Sequence, residues 1–418
     1  MTYHKDVRPL LEAKCTSCHA DGDIAPFALD TYAQAVALKD SIRRVVVDRT
    51  MPPYLPAPGC NEYVAPKWLS EEEIATIERW VDEGAKEGDP ADYTPPPALS
   101  QGLTLDRVDL TLAMPDAYTP RRSPDDYHCF VLDWPETETK YVTGFRVKPG
   151  NPKVVHHVIA FGFRPKGKQA IYDLDAAEPG PGYTCFGDAG GDYEEMFTLG
   201  AWAPGGTDKV LPEGVGIEVP PGSVIVLQVH YNTLNGVEPD LSSIEMQLSG
   251  PDEIERPAAI LWWTNFRWPG GEGMKIPAGE PDVMHSFSFD PTPYMDLITG
   301  GVLQSGQPFA ILSVSHHMHQ LGTRGYQAIR HGGQETDETC LLDIPRWDFN
   351  WQDSYTLARE ARFEPGDELY LECHWDNSPA NQPLVDGEKP EPRDVAWGDG
   401  TQDEMCLGVF LVSTPKTP

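Results

Sequence analysis

Cys15-Thr16-Ser17-Cys18-His19 carries the most specific chemistry in this chain. C-x-x-C-H sets two thiols to capture the vinyl groups of a haem, and its imidazole reaches the iron. One covalent haem c on Cys15, Cys18 and His19 is therefore expected. A Met or His must fill the far side of the iron unless that side stays open. Met51, in Arg49-Thr50-Met51-Pro52-Pro53-Tyr54, follows a helical run where prolines fix the loop. A thioether there raises the haem potential and suits electron transfer. Met51 as a plain core residue is the alternative, and His4 is the rival ligand.

A second group of chemistry-bearing residues lies further along: His156-His157, His230 and His316-His317-Met318-His319. Side chains alternate along a strand. In the strand Phe309 to His319, Ser313, Ser315, His317 and His319 share one face. Leu312, Val314, His316 and Met318 share the other, apolar one. His317 and His319 thus form the metal-like pair, with His316 a packed neighbour. Gln228 and His230 share a face of the strand Val224 to Tyr231, the pattern of a ligand and its support. Adjacent strand residues face opposite ways, so His156 and His157 chelate together only if the strand twists or ends there. One strand histidine alone is more often hydrogen-bonded structure; their joint occurrence downstream of a haem motif points to metal. Imidazole-rich sites suit copper, zinc or iron, and an added thioether favours Cu(I).

The elements that must position these residues fall into parts. Residues 1–92 read as helical: Asp6 to Lys14 leads into the haem motif and Tyr32 to Val47 is a second run. Ser70-Glu71-Glu72-Glu73 is a capping box followed by Ile74, Ile77, Trp80 and Val81 at helical spacing, with a stop at Gly84. Residues 93–102, around Pro95-Pro96-Pro97, read as a stiff linker. Beyond it, short β-branched and aromatic runs alternate with Pro-Gly turns, the texture of antiparallel sandwiches. The rest of the chain is long for one sandwich and comfortable for two, residues 103–252 and 253–418, divided near Gly250 to Arg256. The expected fold is multidomain: a small all-α cytochrome c domain, then two all-β antiparallel sandwiches.

The chain has 418 residues and a formal net charge of −33, which argues against nucleic acid and anionic lipid as partners and favours solubility. Apolar runs such as Val224 to Val229 are far too short to span a bilayer. Eight cysteines less the haem pair leave Cys60, Cys129, Cys185, Cys340, Cys373 and Cys406. An even remainder suggests disulfides in an exported protein, with connectivity open. Haem attachment takes place outside the cytoplasm, so a periplasmic or secreted location is expected, with the signal peptide trimmed from this sequence.

Six fragments, in order, resemble the copper type II monooxygenases, the family of peptidylglycine α-hydroxylating monooxygenase and dopamine β-hydroxylase. They are His156-His157-Val158, Ala201-Trp202-Ala203, Leu211-Pro212-Glu213-Gly214-Val215-Gly216, Gln228-Val229-His230-Tyr231, His317-Met318-His319-Gln320-Leu321-Gly322 and Asp403-Glu404-Met405-Cys406. The resemblance implies two jelly-roll-like domains with one copper each. His156, His157 and His230 would bind the electron-relay copper; His317, His319 and Met405 would bind the oxygen-activating copper, where C–H hydroxylation occurs. It also implies a Cys373–Cys406 disulfide beside the Met ligand. The cytochrome segment lies outside the resemblance, because the best-known members take electrons from ascorbate.

The departures bear on substrate. The peptide hydroxylase grips a carboxylate with an Arg where this chain has Ser315, aided by an Asn and a Tyr where it has Leu407 and Val409. Phe163 stands where that enzyme has a Cys. A small, non-peptide organic substrate is expected, with O2 and an external electron donor that reduces the haem. Catalysis would rest on Met405, His317, His319 and Gln228. The reading from a different class is a non-catalytic copper and haem carrier or sensor. Oxidative cleavage or lyase chemistry on a hydroxylated product is a third.

Overall fold

The computed structural model describes residues 1–418 except 17, 22–24, 97–103, 204–205, 207, 234–235, 270–272, 385–387 and 417–418. Most of the expected linker 93–102 lies outside the described residues. Two units emerge: residues 1–54 with 64–103, and residues 55–63 with 104–418.

Short helices make up the first unit. A π-helical turn, Tyr3–Val7, runs into α1 (Arg8–Lys14); α2 (Tyr32–Ala37), α3 (Lys39–Val47) and α4 (Glu71–Asp82) follow. The capping box forms as its residue types predict. Ser70 Oγ accepts the Glu73 N–H at 3.2 Å, and the Glu73 carboxylate accepts the Ser70 N–H at 2.7 Å. Ile74, Ile77, Trp80 and Val81 are the buried stripe of α4. Trp80 packs with Tyr3, Val7 and Leu11, while Ile77 packs with Ile42 and Val46. The single run expected over Tyr32 to Val47 is instead two helices. Leu38 leaves helical geometry at φ −107°, ψ 7°, its N–H bonding Ala35 O three residues back.

Residues 55–63 belong to the second unit although they interrupt the first in sequence. A Cys60–Cys340 disulfide ties them there, Ala57 N–H donates to Asp343 O at 2.7 Å, and Tyr63 bridges to Leu357.

The rest of the second unit is β-structure. In chain order come β1 (Leu110–Ala113), β2 (Asp125–Asp133), β3 (Lys140–Lys148), β4 (Val155–Phe163), α5 (Lys168–Ala177), β5 (Tyr183–Thr184), β6 (Met196–Trp202), β7 (Lys209–Val210), β8 (Val215–Val219), β9 (Val224–Asn232) and β10 (Ser243–Ser249). Then follow β11 (Arg256–Trp263), β12 (Val283–Phe289), β13 (Phe309–His317), β14 (Gly322–Arg330), β15 (Glu338–Ile344), β16 (Ser354–Phe363), β17 (Glu368–Trp375) and β18 (Leu407–Ser413). A five-stranded sheet, β5-β2-β9-β4-β6, faces part of a long sheet ordered β1-β10-β3-β8-β11-β18-β13-β16. A four-stranded sheet, β12-β17-β14-β15, accompanies the second half.

Alternation builds the first core. Phe130, Val158, Leu227 and Val229 point inward from the five-stranded sheet against Val142, Phe145, Ile244 and Met246. The opposite face of that sheet is covered too: Val224, Val226, Phe161 and Phe163 pack with Ile171 of α5 and the Cys129–Cys185 disulfide. With both faces buried, β9 reads as a continuous apolar run. Near the expected division point the long sheet continues, through a parallel pairing of β8 and β11 amid otherwise antiparallel neighbours. Ala258 and Leu312 from the second half join the first core. No helix among the described residues is long and apolar enough to cross a membrane.

Candidate metal centres

The first centre grows from the register of three adjacent strands. His230 on β9 lies opposite Tyr127 on β2 and His157 on β4. Adjacent histidines cannot both face one way on a regular strand. Here the ladder slips between Val155 and His157, a bulge that lets His156 turn toward its neighbour. The two His157 contacts are close: Nδ1 lies 3.4 Å from His156 Nδ1 and 3.3 Å from His230 Nδ1. Three nitrogens bound at about 2.0 Å to one metal are themselves about 3.3–3.5 Å apart, so the spacing fits.

What surrounds His230 fixes which nitrogen faces that point. Its Nε2 lies 2.9 Å from Asp125 Oδ1, which leaves Nδ1 inward. The Tyr127 ring stacks on it at 4.1 Å and 5°. Burial, reinforced by the neighbouring imidazoles, pushes His156 down to about 3 and His157 well below the ordinary histidine range. Neutral imidazoles are the form that binds metal. Burial alone would raise the Asp125 carboxyl, but bonds from His230 and Thr401 outweigh it and hold it below the usual range. Gln228 shares the His230 face and is 1% exposed; its Nε2 donates to Asp188 O at 3.2 Å.

The second centre is assembled by β13 and β18. His317 lies opposite Leu407, the last pair of that ladder, and His319 and Met405, just beyond the ends of the two strands, line the same cavity as His317. His317 Nδ1 is 2.6 Å from Gln352 Oε1, and His319 Nδ1 is 3.0 Å from Asp403 O. Both rings therefore keep Nε2 for a ligand, and their centroids are 5.0 Å apart. Burial pushes His319 down to about 3 and lowers His317, with Gln352 opposing the latter.

Met405 is held by its neighbours. Glu404, fully buried, accepts the N–H groups of His319 (2.8 Å) and Leu321 (2.6 Å) and the Trp375 indole N–H (2.8 Å). The Cys373–Cys406 disulfide closes the other side. His316 takes the packed position expected of it: it is 3% exposed, with Nδ1 3.0 Å from Gln327 Nε2 and Nε2 3.2 Å from Cys373 Sγ. A Cβ at Gly325 would stand 2.3 Å from that ring, so only glycine fits there.

His157, His317, His319 and Met405 line one cavity of about 450 Å³, with Ser315, Leu407 and Val409 in its wall. Trp202, Trp262, Trp397 and Phe186 supply apolar surface, and its Lys209 is ion-paired with Asp353. Asp125, Tyr127, Gln352 and Glu404 were not anticipated as site residues. For Asp125 and Tyr127 the usable signal was their place on the strand that pairs with His230.

In the first unit, Cys15 and Cys18 are thiols outside the three disulfides. Burial pushes the Cys15 thiol up to about 12. His19 Nδ1 lies 3.0 Å from Phe27 O, leaving Nε2 for an iron, so thiols and imidazole fit a c-type haem. Met51 follows α3, its N–H donating to Val45 O at 3.1 Å. His4 instead sits beside Glu87, Nε2 to Oε1 3.6 Å.

Comparison with known proteins matches residues 110–238 to the N-terminal domain, and residues 301–413 to the C-terminal domain, of copper type II ascorbate-dependent monooxygenases. DBH-like monooxygenase protein 2 of Homo sapiens is 24% identical over 305 residues, 70% of this chain and 54% of that protein. DBH-like monooxygenase protein 1 of Gallus gallus is 23% identical over 301 residues, 68% of this chain and 44% of that protein. Peptidyl-glycine alpha-amidating monooxygenase A of Xenopus laevis is 25% identical over 319 residues, 74% of this chain and 28% of that protein. The chain thus spans about half the length of the first relatives it matches, and less of the last. A solved glycosylasparaginase from Flavobacterium meningosepticum covers 74% of this chain and 96% of its own at 12% identity and a TM-score of 0.29, too distant to inform the site. Both domain matches, in family order and together covering more than half of the sequence, show that the chain belongs to the copper type II ascorbate-dependent monooxygenase family.

Proposed function

We propose that this protein is a copper-dependent monooxygenase that hydroxylates a C–H bond of a small, non-peptide organic substrate, with electrons entering through a covalent haem c. One oxygen atom enters the C–H bond and the other leaves as water, consuming two electrons and two protons. The observation that carries this reading is the shared cavity, which brings His157 of one ligand set together with His317, His319 and Met405 of the other.

Copper at the two sets would store one electron each and activate dioxygen at the thioether-containing site. The chain's own residues do the rest. Asp125 aims His230, and Gln352 and the Asp403 carbonyl aim His317 and His319. Gln228, in the cavity wall, braces the neighbouring Asp188 segment. Ser315, Leu407 and Val409 offer no cation, and Lys209 is already paired, so a carboxylate has no free countercharge in the described wall. Indole and aliphatic surface there favours an apolar body.

Cys15, Cys18, His19 and Met51 would hold the haem, which supplies one electron at a time. Three disulfides accord with an oxidising compartment, periplasmic or secreted. The test is oxygen consumption by the copper-loaded full chain, with mass analysis of products across a panel of small substrates. Substrate-dependent oxygen uptake with a product heavier by one oxygen supports the reading. Haem oxidation without any hydroxylated product identifies an electron carrier instead.

A further inference from the structure

The segment between β15 and β16 contains Trp347, Phe349 and Gln352, none of which belongs to either ligand set. Two of them anchor it to the second centre. Trp347 Nε1 donates to His319 O at 3.1 Å, and Gln352 Oε1 meets His317 Nδ1. Gln352 Nε2 also donates to Phe349 O at 2.9 Å, bracing the loop from within. Phe349 reaches out from this anchored loop. Its ring stacks on His156 at 5.0 Å and 21°, and meets His319 edge-on at 6.0 Å and 80°. One half-buried side chain thus contacts a member of each ligand set, and those sets come from different halves of the β-structure.

We propose that Phe349 is a positioning residue that sets the spacing between the two metal centres. The proposal rests on both ligand sets taking copper. With Trp347 and Gln352 fixing the loop to His319 and His317, the Phe349 ring transmits that position to His156. No other element of the second half is described in ring contact with His156. The neighbouring tie is separate: Tyr127 OH donates to Asp399 O at 3.1 Å and acts through His230. An aromatic contact of this kind shifts an equilibrium by a factor of about 2 to 12, enough to change which separation of the two centres is populated.

The test uses the full chain loaded with copper(II) alone, as wild type, Phe349→Leu and Phe349→Tyr. The readouts are copper stoichiometry and the distance between the two copper positions, located by anomalous X-ray scattering from crystals, neither of which needs turnover. The expected result is two coppers in all three proteins, one copper–copper distance in the wild type, a severalfold loss of occupancy at that distance in Phe349→Leu, and its recovery in Phe349→Tyr. An unchanged copper–copper distance and occupancy in Phe349→Leu overturns the proposal, as does loss of one copper, which would make Phe349 a support for a single site. A wild type that fails to bind two coppers instead refutes the reading beneath it.

Discussion

Asp125 Oδ1 stands 2.9 Å from Nε2 of His230, and this contact decides which nitrogen of His230 points at the other two imidazoles. Without it the ring is free to flip, and the close Nδ1 spacing is lost. Two neighbouring strands, β4 and β9, supply the triad, and a carboxylate on β2 beside His230 gives it chemical polarity.

Asp125→Ala should therefore weaken copper binding at the first centre by about 10- to 100-fold, the usual cost of losing an orienting partner. Competition with a copper chelator checks this. Binding at the second centre, whose rings are oriented by Gln352 and Asp403, should stay the same.

Met405→Ala removes the thioether while leaving His317 and His319 oriented. Hydroxylation should fall by at least about 100-fold, roughly 2.7 kcal/mol of transition-state stabilisation. X-ray absorption of the copper(I) protein should lose its sulfur contribution, with the first centre still loaded. Full activity in this variant would remove Met405 from the site.

Glu404→Ala leaves the His319 and Leu321 N–H groups and the Trp375 indole buried without their acceptor. At about 1–3 kcal/mol per orphaned group, a loss of roughly 3 kcal/mol or more is expected. Urea unfolding of the metal-free protein measures it. Glu404→Gln should recover part of the loss, because its carbonyl still accepts.

Acid should destabilise the metal-free protein before carboxylate protonation is complete. His156, His316 and His319 are pushed by burial down to about 3, whereas an unfolded histidine titrates near 6.5. Between those values the unfolded chain binds protons that the folded chain refuses, so stability falls as pH drops through that window. Glu404, raised by burial to about 7, acts in the opposite sense between that value and the ordinary carboxylate range, and the histidines outnumber it. A melting temperature flat above pH 7 and falling steadily below about 6 is expected.

The sandwiches, the capping box at Ser70 and the face-sorting of His316 from His317 were legible because each depends on local periodicity or local hydrogen bonding. His156-His157 was legible only as a conditional, since a bulge is needed to turn both rings and its position depends on the partner strand. The break at Leu38 went unseen because the apolar pattern runs through it. Residues 55–63 look like part of the first unit in sequence; their membership of the second depends on a disulfide to Cys340, and cysteine counting leaves pairing open. Asp125, Gln352 and Phe349 are ordinary loop or strand residues until the fold places them against imidazoles.

The most direct test of the account is stopped-flow mixing of dioxygen with the full chain, its haem ferrous and both centres loaded with copper, followed at the haem absorption bands. The account predicts haem oxidation at a rate that rises with substrate, and that slows at least about 100-fold in Met405→Ala. A haem that stays reduced while the copper centres turn over on ascorbate would contradict it.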